Sequence, residues 1–578
     1  MKKENFIWNS IKIGLVAGAI GIFLCLVGMV EIFSKRDVVK DVISLGMFLL
    51  LATSVLAGFI ASRRTSDLLE GNKAVSNLLA GTFAGLFTGI VLALFVLFSS
   101  QVNLRAVFLN VTPALLELLT FGQGTDGVWQ ILVFGTVAGL VGGAFLLLSP
   151  SIRKPIVNAV MVIIFMALFS SLFRVIMVNQ SGGIEKAAKY LFSQTGLTAN
   201  GGLIFFFGTI LVSVLRSSQA GKVQNLVDKL PQKGKLSLRV ASIILLAYVV
   251  IMLPNAAGPF IAQVVVIISL YILMGLGLNI EIGFAGLLDL GFVAFYAIGA
   301  YTVGLLTSYG EFGLQHVSFW VAVPIAVLVA MLFGGLLGVP VLGVRGDYLA
   351  IATLGFGEIV RLLAGSDFMA KYLGGPRGII GIQKPCIGTL GEFVAVDVPR
   401  VCNGIELGKP QEIYFIAIAS ALLIAFFSYR LRESRLGRAW MAIREDEDVA
   451  EALGIKLVQA KLLAYMLGAA FAGLGGAIFA TLVGSIFASS MQLIVSINVV
   501  ALIIVGGMGS IPGVVVGAIA LIGLPELLRE VSEFRFLLYG AALVTVMIAK
   551  PEGLWPSQNI RRELHREEAA PIPSETTS

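Results

Sequence analysis

Four ionisable side chains stand in stretches that are otherwise apolar: Glu281, Asp289, Glu358 and Arg361. Charge at bilayer depth is costly, so such groups neutralise one another or mark a path for a polar solute. Glu358 and Arg361 are three positions apart and can meet on one helix face. Mutual neutralisation inside a helix bundle is the simpler reading of that pair. Glu281 and Asp289 flank Gly283-Phe284-Ala285-Gly286, a run suited to an unwound segment. An acid beside bare backbone amides would suit a solute carrying both an ammonium and a carboxylate. Asn279 and Asn498 would add neutral hydrogen bonds, although a helix cap or an interhelical hydrogen bond would use the same residues.

A second constellation lies between Tyr429 and Lys461, the longest strongly charged stretch between two apolar runs. It contains Arg438 and Arg444, then four consecutive acids from Glu445 to Asp448, then Val449-Ala450-Glu451-Ala452-Leu453-Gly454. Acids in a first turn suit the positive end of a helix dipole, and a glycine suits the position just past a helix end. The pattern predicts a short helix over about 445–453 with Val449, Ala450 and Leu453 on its apolar side. Such a helix can insert into a groove on a partner; a solvated charged loop is the plainer alternative.

The remaining reactive residues are few. Cys25 lies inside an apolar run, and Cys386 and Cys402 share the polar stretch 365–412. A bridge between those two would close a loop of about 15 residues and contribute roughly 3 kcal/mol if unstrained; two buried free thiols are the alternative. His316 and His565 lack a cysteine or histidine cluster, so no metal site is expected. The glycine-rich run Gly506-Gly507-Met508-Gly509-Ser510 lacks the lysine of a phosphate-binding loop, and neither G-x-S-x-G nor H-E-x-x-H occurs. ATP hydrolysis by this chain is not expected.

These residues must be positioned by membrane helices. The 578 residues are 57% hydrophobic and only 13% charged, against about 25% charged in a soluble domain. Too little charge is available to cover a water-facing surface, so lipid is the solvent. A bilayer core of about 30 Å needs roughly 20 apolar residues per helical span. Six candidate spans precede a basic stretch, at roughly 10–32, 43–61, 78–98, 130–148, 155–177 and 201–215. About ten follow, at roughly 240–258, 261–280, 290–307, 319–340, 346–364, 413–429, 460–484, 493–505, 511–525 and 534–549. The expected fold is an all-α polytopic membrane bundle of about sixteen spans. The divisions expected are a membrane extension over 1–215, a basic linker over 216–239, a core over 240–557 and a polar tail over 558–578.

Cytoplasmic loops are enriched in Lys and Arg. With both termini inside, Arg63/Arg64, Arg153/Lys154, the 216–239 stretch, Arg345 and the 430–461 segment fall inside; Lys35, Arg36 and Lys40 are the exception. The apolar run Ile13–Val30 is long for a leader and reads as an uncleaved first helix. The net charge of +7 sits mostly in short loops, and no basic cluster stands on a soluble domain where it could bind nucleic acid. Three helices share a pattern, Gly14-x-x-Ala17-Gly18, Gly81-x-x-Ala84-Gly85 and Gly135-x-x-Ala138-Gly139; close helix packing explains it without an internal repeat.

The run Ala450-Glu451-Ala452-Leu453-Gly454 resembles the EAA-x-x-x-G coupling motif of ABC-importer permeases, with the alanine pair shifted and the spacing to the glycine compressed. The resemblance extends over about 240–557 to the branched-chain amino acid permeases of the LivM type. It is carried by Gly275–Ile280, Ala285–Gly291, Ala297–Tyr301, Gly346–Gly355, Gly374-Gly375-Pro376, Arg438–Ile455 and Gly506–Ser510. Residues 1–239 fall outside it.

That resemblance implies a permease subunit for branched-chain amino acids, or for urea and short amides, in a bacterial inner membrane. It implies two ABC ATPase subunits that bind ATP, a related second permease and an external binding protein as partners, with no cofactor on this chain. Arg438, Arg444, Glu445, Ala450, Glu451, Ala452, Leu453 and Gly454 would carry the ATPase coupling. Asn279, Glu281, Gly286, Asp289, Glu358, Arg361 and Asn498 would line the path. The competing class is an ion-coupled secondary transporter, which uses broken helices and intramembrane acids too but needs no ATPase dock at 430–461.

Overall fold

The computed structural model describes residues 2–66, 73–178, 183–228, 232–314, 317–341, 347–388, 404–527 and 535–556. Apolar runs long enough to cross a bilayer dominate the chain, and they fold as helices because lipid leaves backbone groups no other partner. Eleven of the described helices are long and apolar enough to cross a membrane, and three more are shorter apolar helices. The protein is thus a polytopic helical membrane protein. The expected total of about sixteen is higher partly because 240–258 and 261–280 form one stretch, Gln232–Leu278, broken only at Gly258 (φ 85°, ψ 177°).

The chain divides into two compact units, residues 1–248 and 249–578. The division falls beyond the basic stretch 216–239, part of which is helical at Ala199–Asp228 and from Gln232 onward.

In the first unit the principal helices are α1 (Lys2–Leu26), α2 (Leu45–Ser66), α3 (Lys73–Gln101), α4 (Val128–Phe145), α5 (Pro150–Leu168) and α6 (Ala199–Asp228). The repeated glycines are contact points. A Cβ on Gly85 would lie 2.2 Å from the Gly135 carbonyl oxygen, one on Gly139 2.3 Å from that of Gly81, and one on Gly14 2.4 Å from that of Ala84. Between helices in lipid there is little hydrophobic driving force, so this backbone approach supplies the packing.

In the second unit the principal helices are α7 (Gln232–Leu278, from residue 249 on), α8 (Val293–Thr307), α9 (Phe319–Val341), α10 (Asp347–Gly365) and α11 (Pro410–Arg432). Two short helices follow, α12 (Arg435–Glu445) and α13 (Glu447–Ala452). The series ends with α14 (Leu457–Val483), α15 (Leu493–Gly506), α16 (Ile511–Ala518) and α17 (Arg535–Ala549). The core forms where α8 crosses α14. A Cβ on Gly299 would lie 2.1 Å from the Gly473 oxygen, and one on Gly476 1.9 Å from the Tyr296 oxygen. Phe292, Phe295, Tyr465 and Met274 fill the space around that crossing, each at most 2% exposed.

The connection between α10 and α11 is anchored at its base. Ile379–Ile380 pairs antiparallel with Ser485–Ile486, and Cys386–Ile387 with Ile405–Glu406. Lys384 Nζ donates to the carbonyl oxygens of Thr481 (2.6 Å) and Leu482 (3.2 Å) at the C-terminal end of α14. Burial pulls the Lys384 ammonium below the usual lysine range, opposed by the nearby Glu406 carboxylate. Cys386 is disulfide-bonded; Cys402, the partner expected from the sequence, lies outside the described residues, as do His316, His565 and the tail 558–578.

Candidate functional site: a broken helix and the connection beneath it

The helix α7 does not end in a simple cap. It widens into one π-helical turn, Asn279–Phe284, and the chain then runs irregularly to Phe292 before α8 begins. Such a break leaves backbone groups out of the helical ladder, and each must find another partner in a protein interior. Asn279 Oδ1 accepts the Gly509 N–H at 2.9 Å. Thr353 Oγ1 on α10 accepts the Leu290 N–H at 3.0 Å, and Ser496 Oγ on α15 accepts the Val293 N–H at 2.9 Å. Asp289 Oδ1 accepts the Gly291 N–H at 2.7 Å. The break is therefore held by three separate elements.

Glu281 and Asp289 are both fully buried. Their carboxyl groups face one another, with the Tyr465 and Thr353 side chains beside Asp289. Neither oxygen of Glu281 nor Oδ2 of Asp289 takes a hydrogen bond from another group. Glu281 instead packs on the bare Cα of Gly468 in α14, where a Cβ would lie 1.8 Å from Oε1. The pair is thus an acid cluster within the core of this unit, chemically able to share a proton or close on a cation. Asn279 likewise is 1% exposed and spends its carbonyl on the Gly509 turn. Gly286 is exposed and Asn498 half-buried.

Glu358 and Arg361 do meet: Arg361 Nε lies 3.0 Å from both Glu358 oxygens, and its Nη2 pairs with Oε1. The pair is not enclosed by this chain, since the two side chains are 28% and 38% exposed. Beside it on α10, Gly355 faces open space, and Ile351, Ile359 and Leu362 are exposed.

The charged connection 433–456 holds two helices where one was expected over about 445–453. Asp446 breaks the run: it sits in extended backbone (φ −158°, ψ 115°), and its carboxylate accepts the N–H groups of Asp448 and Val449 at 3.0 Å. A short acidic side chain is a better N-cap than a helix-interior residue, so Glu445 ends α12 and Glu447 begins α13. The C-terminal end is a Schellman arrangement: the Ile455 N–H reaches the Ala450 oxygen (3.1 Å) and the Gly454 N–H the Glu451 oxygen (2.9 Å). Gly454 has φ +84°, a left-handed conformation that glycine adopts without steric cost. The expected apolar side divides: Ala450 is 1% exposed, while Val449 (53%) and Leu453 (76%) face outward with Glu451 and Ala452.

Three residues that the sequence reading did not single out fix this connection. Trp440 is fully buried, and its Nε1 donates to the Ala460 oxygen at 2.7 Å. Lys461 Nζ pairs with Glu447 Oε1 at 2.7 Å. Ser434 caps α12 by accepting the Gly437 N–H. A lone tryptophan in an otherwise charged run was the available signal. Arg438 is exposed and donates to the Glu433 oxygen at 2.9 Å, whereas Arg444 turns inward to the Gly283 oxygen at 2.7 Å.

Comparison with known proteins agrees with this architecture. Residues 260–549 match the family described as branched-chain amino acid transport system / permease component. The high-affinity branched-chain amino acid transport system permease protein LivM of Escherichia coli (strain K12) is 41% identical over 296 residues, covering 50% of this chain and 68% of that protein. LivM of Salmonella typhimurium is 39% identical over 339 residues, covering 57% and 77%. The permease LivH of Salmonella typhimurium is 23% identical over 295 residues, covering 50% and 91%. No solved structure matches the chain. The matched segment contains the broken helix, the α10 ion pair and the two-helix connection, and on these grounds the chain belongs to the branched-chain amino acid transport system permease family.

Proposed function

We propose that this chain is the membrane-spanning permease subunit of an ATP-driven importer for branched-chain amino acids or similar small polar solutes such as urea and short amides. The observation that carries the reading is the 41% identity to a LivM permease across the segment that holds the break and the connection. The geometry supports it: Val449 and Leu453 stand exposed on α13, which is held to α14 by the Glu447–Lys461 pair and buries Ala450, as a dock for an ATPase requires. ATP binds to partner subunits rather than to this chain.

In this reading two ABC ATPases, a related second permease and an external binding protein complete the transporter. The exposed Glu358–Arg361 face of α10 is where the second permease or the solute path lies, since a half-exposed ion pair facing lipid would be costly. Both termini and the connection 433–456 face the cytoplasm of a bacterial inner membrane, and the stretch between α10 and α11 faces outward. Uptake of labelled leucine and labelled urea by the reconstituted complex, with and without ATP, tests the reading. ATP-dependent uptake of either solute is expected; uptake driven by an ion gradient without ATP would overturn it.

A further inference from the structure

Resting on that reading, we infer that Arg444 is a positioning residue for transport: a strut through which the connection 433–456 moves the helix break at 279–292. Its Nη1 donates to the Gly283 carbonyl oxygen at 2.7 Å, inside the π-helical turn. Its Nη2 is held by Glu445 Oε1 at 2.8 Å. The stem of the side chain runs over Gly286, whose φ is +75° and where a Cβ would lie 2.8 Å from Arg444 Cγ. On the other side a Cβ at Gly509 would lie 3.6 Å from Nη1, and the Gly509 N–H is the donor to Asn279. One guanidinium thus stands between two interrupted helices, at the break that follows α7 and at the turn between α15 and α16.

A strut transmits motion only if its own base is rigid. Here α12 is fixed to α14 through Trp440 and the Ala460 oxygen, and α13 through Glu447 and the 8%-exposed Lys461 side chain. The connection therefore grips α14 at its first turns and the break through Arg444. Glu281, two residues before Gly283, rests on Gly468 of the same α14. A displacement of the connection must shift the break and α14 together, because dense packing leaves no slack to absorb it. An arginine suits this task, since its planar fork holds two acceptors in fixed directions, which a lysine ammonium does not.

The test uses the complete complex in vesicles, with leucine uptake and ATP hydrolysis measured on the same preparation. Arg444→Gln should lower uptake per ATP hydrolysed about tenfold, the scale of one lost charge-assisted hydrogen bond. Arg444→Lys should recover part of that ratio. If Arg444→Gln fails to assemble, Arg444→Lys decides the matter, since it keeps the charge but not the planar fork and should still lower uptake per ATP. Unchanged uptake per ATP, or a proportional fall in uptake and hydrolysis, would overturn the strut. Hydrogen exchange over 279–292 gives a readout independent of solute: nucleotide should alter it in wild type and not in Arg444→Gln. A wild-type complex that moves neither leucine nor urea contradicts the transport reading instead, and the exchange result then judges the strut alone.

Discussion

Lys461 and Glu447 form an asymmetric ion pair: the lysine side chain is 8% exposed and the glutamate 34%, with 2.7 Å between Nζ and Oε1. The two partners are therefore not equivalent when removed. Glu447→Ala leaves a buried ammonium without its counter-charge, whereas Lys461→Met leaves a carboxylate that water can reach. Glu447→Ala should destabilise by about 2–3 kcal/mol and Lys461→Met by about 1 kcal/mol, with the double variant close to the milder single one. Thermal unfolding of the purified protein in detergent checks the order; a larger loss for Lys461→Met would contradict it.

The C-terminal end of α13 offers a second test. Nothing lies within 4 Å of a Cβ at Gly454, so a substitution there meets backbone strain and no clash. Gly454→Val should cost about 1–2 kcal/mol locally and unravel the Schellman turn. Uptake should fall while membrane insertion is kept, and Glu451→Lys should uncouple likewise. Normal uptake in a protein carrying both changes would remove α13 from the coupling pathway.

On α10 the ion pair predicts a charge-order experiment. Glu358→Ala leaves Arg361 alone in a span, at an insertion cost of about 2.5–3.5 kcal/mol on translocon scales. Membrane levels or uptake should drop, and the exchanged pair Glu358→Arg with Arg361→Glu should restore insertion. Restored insertion without restored uptake would place one of the two charges on the solute path itself.

The first unit is expected to fold by itself. Gly139→Val brings side-chain atoms onto the Gly81 oxygen and Gly85, and overpacking of this kind costs about 1–3 kcal/mol or more. Protease sensitivity should rise within 1–215 and stay unchanged in the core. Deleting residues 1–235 should leave a core that still binds the ATPases; a core that inserts but fails to bind them would make the extension part of the coupling apparatus.

The bridge proposed between Cys386 and Cys402 is read by mass spectrometry of unreduced protein alkylated before digestion. One linked peptide pair is expected. Alkyl label on both cysteines would exclude the bridge.

Much of this protein was legible in its sequence for a simple reason: lipid makes spanning helices obligatory wherever some twenty apolar residues run together. Helix positions, the unwound run near Gly283–Gly286, the i, i+3 meeting of Glu358 and Arg361 and the glycine stop at Gly454 are all local, set by neighbours within a few positions. Contacts across long separations were not legible. That Arg444 reaches Gly283, that Asn279 closes on Gly509, and that Trp440 and Lys461 lock the connection to α14 are pairings across tens to hundreds of positions. Burial also had to come from the tertiary structure. Glu281 and Asp289 read alike whether they line a path or lie sealed against Gly468 and Tyr465, because exposure is decided by which helix crosses in front. The same holds for Val449 and Ala450, adjacent in the chain and alike in polarity. Only the packing of α13 against its neighbours turns one inward and leaves the other free to meet a partner.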